Sequence, residues 1–217
     1  MAFLNGVIGV SRKKVGEIVA YRNSGKTIAR KYLGVGEIAN PRSAGQVAQR
    51  ERFGLLGQTL SMAAAFFNKS FSAYRRYFNG FSAAMHYNWA DLITGSYPLY
   101  TIDYSKLIIS RGGLLGLDGL QVTANANHGV TLTWTDNTGQ GNARSDDKVS
   151  FVLWIPGFSS LTTMFAFENV ADRSQGSYAQ TWQLQAPGET AHVYVCIHRN
   201  GGSKYSTSQY LGTVTLQ

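Results

Sequence analysis

One helical segment constrains the fold of this chain most, because it separates a short basic stretch from a long succession of strands. It begins at Asn40-Pro41, where Asn is a favoured N-cap and Pro suits the first helical position. Because Gly54 and Gly57 each weaken a helix interior by about 1 kcal/mol relative to Ala, we expect a bend there or the close approach of another backbone. Asn79-Gly80 interrupts the pattern, and the apolar spacing of residues 81–93 predicts a second helix.

Aromatic side chains are dense along this helical segment. We interpret them as a packing surface, inside the subunit or against a neighbouring one, in preference to a base-stacking or membrane role. The residues that we predict to mediate self-association are Phe66, Phe67, Phe71, Tyr74, Tyr77 and Phe78.

Short strands alternate with turn residues from Pro98 to the C-terminus. The predicted strands are 101–109, 120–124, 130–135, 148–155, 162–167, 178–184, 192–199 and 205–216. Their number and spacing predict an immunoglobulin-like or fibronectin-like β-sandwich, with Trp134, Trp154 and Trp182 in or beside its core. We expect the helical segment to cover a sheet edge or to reach another subunit, since an uncovered edge invites pairing.

The stretch before the helical segment predicts a small β-meander over residues 6–33, with a turn at Asn23-Ser24-Gly25. Residues 20–27 also fit the loosest form of a phosphate-binding loop, with Ala in place of the first Gly. That loop needs a helix starting at Lys26-Thr27. Because the following segment is short and ends in Gly34, a hairpin turn is the better interpretation. The chain is thus mainly β with an α-helical insert: a basic β arm (1–39), a helical segment (40–95) and a β-sandwich domain (96–217).

Positive charge is concentrated in the first half of the chain. The formal charge is +8, and the residues up to Tyr100 hold thirteen Lys and Arg against four acidic residues, so they carry +9 and the remainder −1. This asymmetry is typical of a surface that meets a polyanion, although the cations could equally pair with a neighbouring subunit's carboxylates. The candidate nucleic-acid-binding residues are Arg12, Lys13, Lys14, Arg22, Lys26, Arg30 and Lys31.

Composition excludes several classes of protein. A hydrophobic content of 44% and an aromatic content of 12% exclude wholesale disorder. The single cysteine, Cys196, cannot form an internal disulfide. No signal peptide and no apolar run long enough for a membrane span is visible, so we expect synthesis in the cytoplasm, with a virion as a possible destination.

Two groups of residues could hold a metal ion. The polar loop from Asp136 to Asp147 is rich in oxygen-bearing side chains that calcium could use, but its spacing is not that of the twelve-residue calcium loop, and hairpin loops use the same residues. His192, Cys196 and His198 share one face of a strand, yet no fourth ligand accompanies them. Since no nucleophile or acid–base pair has its required setting either, we expect no enzyme activity, no metal and no cofactor.

Several motifs resemble, in order, an uncharacterised family of Bacteroidetes-type genomes, the domain of unknown function six-two-six-six. The N-terminal matches are Gly16, Tyr21, Gly25-Lys26, Arg30, Gln46, Gln49-Arg50 and Phe53. The later matches are Gly95-Ser96-Tyr97-Pro98, Ile102-Asp103-Tyr104-Ser105-Lys106, Trp134-Thr135-Asp136-Asn137, Gly141-Asn142-Ala143, Asp146-Asp147-Lys148, His192-Val193-Tyr194 and Ser208-Gln209-Tyr210-Leu211-Gly212. Arg12-Lys13-Lys14 is more basic than the family's usual glycine-rich turn. The resemblance implies no established activity, and its phage-like genome neighbourhoods imply a virion or assembly component.

Together these features predict a non-enzymatic structural protein that self-associates into an oligomer or lattice, of the kind found in a phage capsid. Its basic N-terminal part would lie near nucleic acid or a neighbouring subunit. The alternative is a soluble nucleic-acid-binding protein that acts as a monomer or dimer. A glycan- or surface-binding module is a third reading, which the fold class alone cannot support.

Overall fold

The structure is a computed structural model, and it describes residues 14–15, 17–23, 26–32, 43–74, 79–125, 129–157, 163–181, 188–202 and 204–216. For Lys14, Val15, Arg22, Asn23 and Lys26 it describes the backbone alone. The chain forms two compact units, Met1–Val47 and Ala48–Gln217.

The first unit contains a small antiparallel sheet. Its strands are β1 (Lys14–Val15), β2 (Ile18–Asn23) and β3 (Lys26–Lys31), in the order β1-β2-β3. β2 and β3 form a hairpin in which Asn23 pairs with Lys26 and Ile18 with Lys31. The predicted meander is confirmed over these residues.

Three helices follow, α1 (Ala44–Ser61), α2 (Ala64–Ser70) and α3 (Gly80–Asn88). The predicted cap at Asn40-Pro41 lies outside the described residues. α1 runs through Gly54 and Gly57, and no other backbone lies within 4 Å of the Cβ position of either. The close approach that we expected there occurs instead at Gly80, where a Cβ would lie 2.5 Å from Asn68 Cα of α2.

The predicted second helix is shorter than expected. Asn79 caps α3 by accepting a hydrogen bond from the Ser82 N–H at 2.7 Å, and the helix ends at Asn88. Ile93 lies in a hairpin that the sequence did not predict, formed by β4 (Ile93–Ser96) and β5 (Leu99–Ile102). The predicted strand over 101–109 is wrong beyond Ile102, because Asp103 accepts the Ser105 N–H at 3.1 Å and starts a 3-10 turn.

The remaining strands form a β-sandwich, which confirms the predicted fold class. They are β6 (Asp118–Asn125), β7 (Gly129–Thr135), β8 (Lys148–Ile155), β9 (Thr163–Asp172), β10 (Ser177–Gln180), β11 (Thr190–His198) and β12 (Gln209–Thr215). One sheet has the order β10-β7-β6 and the other the order β12-β11-β8-β9. The predicted strand over 205–216 begins only at Gln209, and Trp182 lies outside the described residues.

The four-stranded sheet is buried on both faces. Side chains of odd-numbered residues, such as Phe151 and Val195, pack in a core with the three-stranded sheet. Side chains of even-numbered residues, such as Trp154 and Cys196, pack in a second core with Phe67 and Leu60 of the helices. The helical segment therefore covers a sheet face and not a sheet edge, because only a face offers enough apolar surface to bury the helices' aromatic side chains.

The amide of Asn88 attaches the end of α3 to the chain that leads into the sandwich. Its Nδ2 donates to the carbonyls of Ala84 at 2.9 Å and Ile108 at 3.0 Å, and its Oδ1 accepts the Ile108 N–H at 2.8 Å. The Asn88 side chain thus supplies hydrogen bonds to the backbone of Ile108, which has no strand partner because it lies outside the described strands. None of the helices in the described ranges is long and apolar enough to cross a membrane.

Candidate functional site

The three strands β1, β2 and β3, which we call the arm sheet, expose side chains on both faces. Ile18 and Tyr21 lie on opposite faces of β2 and are 41% and 36% exposed, and Ile28 opposite Tyr21 is 36% exposed. Every side chain from Thr27 to Lys31 is exposed. Because a stable sheet normally buries at least one face, this sheet has an unusual amount of apolar surface in water.

Two predicted nucleic-acid-binding residues, Arg30 and Lys31, have described side chains, and both are exposed. The Arg30 guanidinium lies 5.8 Å from the centroid of the Tyr21 ring. Lys31 Nζ is 3.9 Å from the Glu17 carboxylate, with the two side chains 70% and 82% exposed. An ion pair so open to water contributes little, so both cations remain able to meet an anion.

The structure describes no side chain for the other predicted cations of this stretch. Lys14, Arg22 and Lys26 occupy strand positions in the arm sheet, whereas Arg12 and Lys13 lie outside the described residues. Because Lys26 begins a strand, the helix that a phosphate-binding loop requires does not follow it. The hairpin interpretation of residues 20–27 is confirmed.

The aromatic residues predicted for self-association lie largely inside the chain. Phe66, Phe67 and Phe71 are 4%, 0% and 0% exposed and belong to the core between the helices and the four-stranded sheet. Tyr74 is half-buried, and its ring centroid is 4.9 Å from that of Tyr87. These three phenylalanines are therefore core residues, not a surface for a neighbour; sequence spacing cannot tell the two apart. Tyr77 and Phe78 lie outside the described residues.

The polar loop between β7 and β8 folds around a buried ion pair. Arg173 and Asp147 have fully buried side chains, with Arg173 Nη2 3.3 Å from Asp147 Oδ2. Arg199 donates to the other carboxylate oxygen at 2.7 Å. Arg173 also donates to the carbonyls of Leu115 at 2.7 Å and Gly116 at 2.8 Å. The burial of Arg173 is not predictable from its sequence pattern, since a lone cation at a strand end has the pattern of a surface residue.

Asp136, at the start of the same loop, also forms hydrogen bonds within the protein. Asp136 accepts hydrogen bonds from the Thr138 hydroxyl and N–H, which lower the pKa of its carboxyl. Asn137 donates to the Gly116 carbonyl at 3.0 Å. Within the described ranges, no three His, Cys, Asp or Glu side chains come together in a way that could hold a metal ion.

β11 places His192, Cys196 and His198 on one face, but each has a different neighbour. His192 Nδ1 lies 2.8 Å from the Tyr210 hydroxyl. Cys196 is fully buried, and burial raises the pKa of its thiol to about 12. His198 Nε2 lies 3.1 Å from Ser150 Oγ and its Nδ1 lies 3.1 Å from the Arg199 carbonyl, while burial lowers the pKa of the imidazole.

His198 is one of the residues that line a polar cleft of 640 Å³. Lys69 and Glu168 also line it, and Lys69 Nζ donates to both Glu168 oxygens, at 2.8 and 3.0 Å, so opposite charges compensate each other. Ser150 is 0% and His198 4% exposed, and Ser150 Oγ accepts the Asn169 N–H at 3.0 Å. The Ser–His contact is thus almost entirely buried, and it joins β8 to β11.

Asn169 lies in a bulge of β9. Val149 of β8 pairs with Ala171 and Phe151 pairs with Phe167, so residues 168–170 face Ser150 alone. Asn169 has a φ of 56°, in the left-handed region that the bulge requires. β9 is the last strand of its sheet, and no described strand pairs with its outer edge.

Comparisons with known proteins give a family and similarities to solved structures, of which two are described. A family model described as a family of unknown function (DUF6266) matches residues 10–212. No curated protein matches the chain. The fn3 domain of the human collagen alpha-1(XX) chain is similar with a TM-score of 0.34 and 13% identity, covering 48% of this chain and 87% of that one. The FN1-FN3 domains of chicken CNTN1 are similar with a TM-score of 0.34 and 10% identity, covering 54% of this chain and 36% of that one.

The family match takes in both compact units. It begins before β1 and ends inside β12. The chain therefore belongs to the family of unknown function DUF6266.

Proposed function

We propose that this protein is a non-enzymatic structural component that self-associates into an oligomer or lattice, with the arm sheet docked on a neighbouring subunit. The exposure of the arm sheet on both faces carries the proposal. Ile18, Tyr21 and Ile28 each leave more than a third of their surface in water. Burial of such side chains contributes about 25 cal/mol for each Å² of apolar surface, and a neighbouring subunit supplies that burial in every copy.

A phage virion is the kind of assembly that we propose. Met1–Val47 contains eight Lys and Arg and two acidic residues, so it carries +6 of the chain's +8. A shell that encloses nucleic acid gains from basic arms, because they neutralise phosphate charge. Repeated contacts of one subunit type then extend into a closed or open lattice, depending on their symmetry.

The mass of the purified full-length protein tests the proposal directly. We expect light scattering, with nucleic acid removed, to give a uniform assembly at low and at high salt, because apolar docking is not screened by ions. A monomer at all working concentrations would contradict the proposal.

A pair of substitutions tests the role of the arm sheet. Tyr21→Thr with Ile28→Thr keeps strand propensity but removes a cross-strand apolar pair. We expect the Kd of the assembly to rise by roughly tenfold or more, which corresponds to about 1.4 kcal/mol. The control is Leu99→Thr on β5, whose side chain is 78% exposed in the other unit. Equal effects of the two variants would show that the arm sheet has no special role.

A soluble nucleic-acid-binding protein is the second candidate, favoured by the exposed Arg30 and Lys31. If these residues contact phosphates, Arg30→Gln with Lys31→Gln should reduce the slope of log K against log salt by about 2. Arg144→Gln is the matched control, since Arg144 is an exposed cation of the other unit. Binding to DNA that is absent, or insensitive to salt, would rule out this candidate.

A further inference from the structure

We propose that the polar cleft beside His198 binds an uncharged, polyhydroxylated ligand, a sugar unit of a glycan. The residues that line it come from the end of α2, the start of β8, the bulge of β9 and the turn after β11, all in the second compact unit. Its volume of 640 Å³ lies within the range of about 300–1,000 Å³ that is typical of ligand pockets. The inference is independent of the proposed self-association, and it rests on the lining of this cleft and not on the fold class.

The charges that line the polar cleft compensate each other. Lys69 is paired with Glu168, and Lys148, at the start of β8, is paired with Asp172. A phosphate or carboxylate ligand would therefore compete with a carboxylate that each ammonium group already contacts. Because the two pairs sum to zero charge, they also exert little long-range attraction on an ion. An uncharged ligand fits these surroundings best.

Two amide side chains supply the hydrogen-bonding groups for such a ligand. Asn169 and Asn200 both line the cleft and are exposed, and neither side chain forms a hydrogen bond with a described residue. An amide offers two donor hydrogens and one acceptor oxygen, and a hydroxyl group both donates and accepts. Neighbouring hydroxyls of a sugar ring can therefore pair with both ends of one amide.

The bulge of β9 holds Asn169 in a conformation that is unusual for its residue type. Of the non-glycine residues in the described ranges, Asn169 alone has a positive φ, of 56°. Its N–H donates to Ser150 Oγ at 3.0 Å, so the backbone that carries the amide is fixed before a ligand arrives. Bulges redirect side chains beside binding sites, and residues in such conformations cluster at those sites.

The aromatic residues of the cleft do not favour a flat ligand such as a nucleobase. Of the described residues that line it, His198 and Tyr205 carry rings, and they are 4% and 6% exposed with centroids 5.0 Å apart. Rings buried to this extent offer no open face on which a base could stack. The other lining residues are polar or glycine, so hydrogen bonds would hold the ligand.

A glycan array probed with the full-length protein tests the inference. The array carries neutral oligosaccharides of glucose, galactose, mannose and N-acetylglucosamine beside sialylated and sulfated ones. We expect binding to one or more of the neutral glycans, at equal strength in low and in high salt, because ions screen only interactions between charges. Binding to none of the glycans, or to the acidic ones alone, would overturn the inference.

Two substitutions locate the bound glycan in the cleft. Asn169→Gly removes the amide and leaves a residue that adopts positive φ at no steric cost, and Asn200→Ala removes the other amide. We expect each to raise the Kd for the neutral glycan by about three- to tenfold, the usual effect of one lost hydrogen bond. Gln58→Ala is the control, because Gln58 is an exposed amide residue of α1 that does not line the cleft. A Kd that both cleft variants leave unchanged, or that Gln58→Ala raises equally, would show that the glycan binds elsewhere and overturn the inference.

Discussion

Substitution of the buried Arg173 by methionine is expected to lower the free energy of unfolding by about 3–5 kcal/mol, the usual effect of removing one partner of a buried ion pair. The variant leaves Asp147 with Arg199 as its only cation, deprives the Leu115 carbonyl of its Arg173 donor and leaves the Gly116 carbonyl with Asn137 alone. Each buried group that loses its partner pays a desolvation cost. Methionine replaces much of the volume, so loss of polar contacts and not a cavity causes the effect.

Urea denaturation of the two variants Arg173→Met and Arg144→Met measures this effect. Arg144 is exposed and lies in the same loop as Asp147. Its substitution by methionine also removes one positive charge, but it leaves the buried contacts between Arg173 and Asp147 in place. We expect its free energy of unfolding to change by no more than about 0.5 kcal/mol. Equal losses in the two variants would mean that net charge, not the buried network, is responsible.

Substitution of Gly80 by alanine is expected to destabilise the protein by about 3 kcal/mol, at the upper end of overpacking effects. An alanine Cβ there would lie 2.5 Å from Asn68 Cα and 2.8 Å from the Phe67 carbonyl carbon. Both atoms belong to the backbone of α2, which cannot relieve the clash by changing rotamer as a side chain could. α2 and α3 would have to separate, and Phe67 in the core between them would lose contacts.

Gly54→Ala provides a control with the opposite sign. No atom lies within 4 Å of the Cβ position of Gly54, which is an exposed residue in the interior of α1. Alanine should therefore stabilise the protein there by about 1 kcal/mol through its higher helix propensity. Thermal and urea unfolding of both variants should show shifts in opposite directions. A stabilising Gly80→Ala would contradict the close packing of α2 against α3.

The candidate functional surfaces were predictable only in part. The basic residues Arg30 and Lys31 are exposed, as a run of charge with few acidic neighbours indicates. Phe67 and Phe71 were misassigned because an aromatic stripe has the same sequence pattern whether the chain or a neighbour covers it. The sequence of β8 does carry a signal for the covered face: it is Lys-Val-Ser-Phe-Val-Leu-Trp-Ile, almost without alternation of polar and apolar residues. Such a run is typical of a strand buried on both faces, and it indicates that helices cover the sheet.

Local structure is predictable from residues close together in the chain. The strand Lys148–Ile155, the hairpin at Asn23 and the helix start after Asn79 all follow from propensity, turn residues and periodicity, which act over a few neighbours. What those elements cover depends on contacts between residues far apart in the chain. Arg173 is buried because Asp147 and the carbonyls of Leu115 and Gly116, which lie far from it in the chain, converge on it. Such relations join residues far apart in the chain, and no local pattern encodes them.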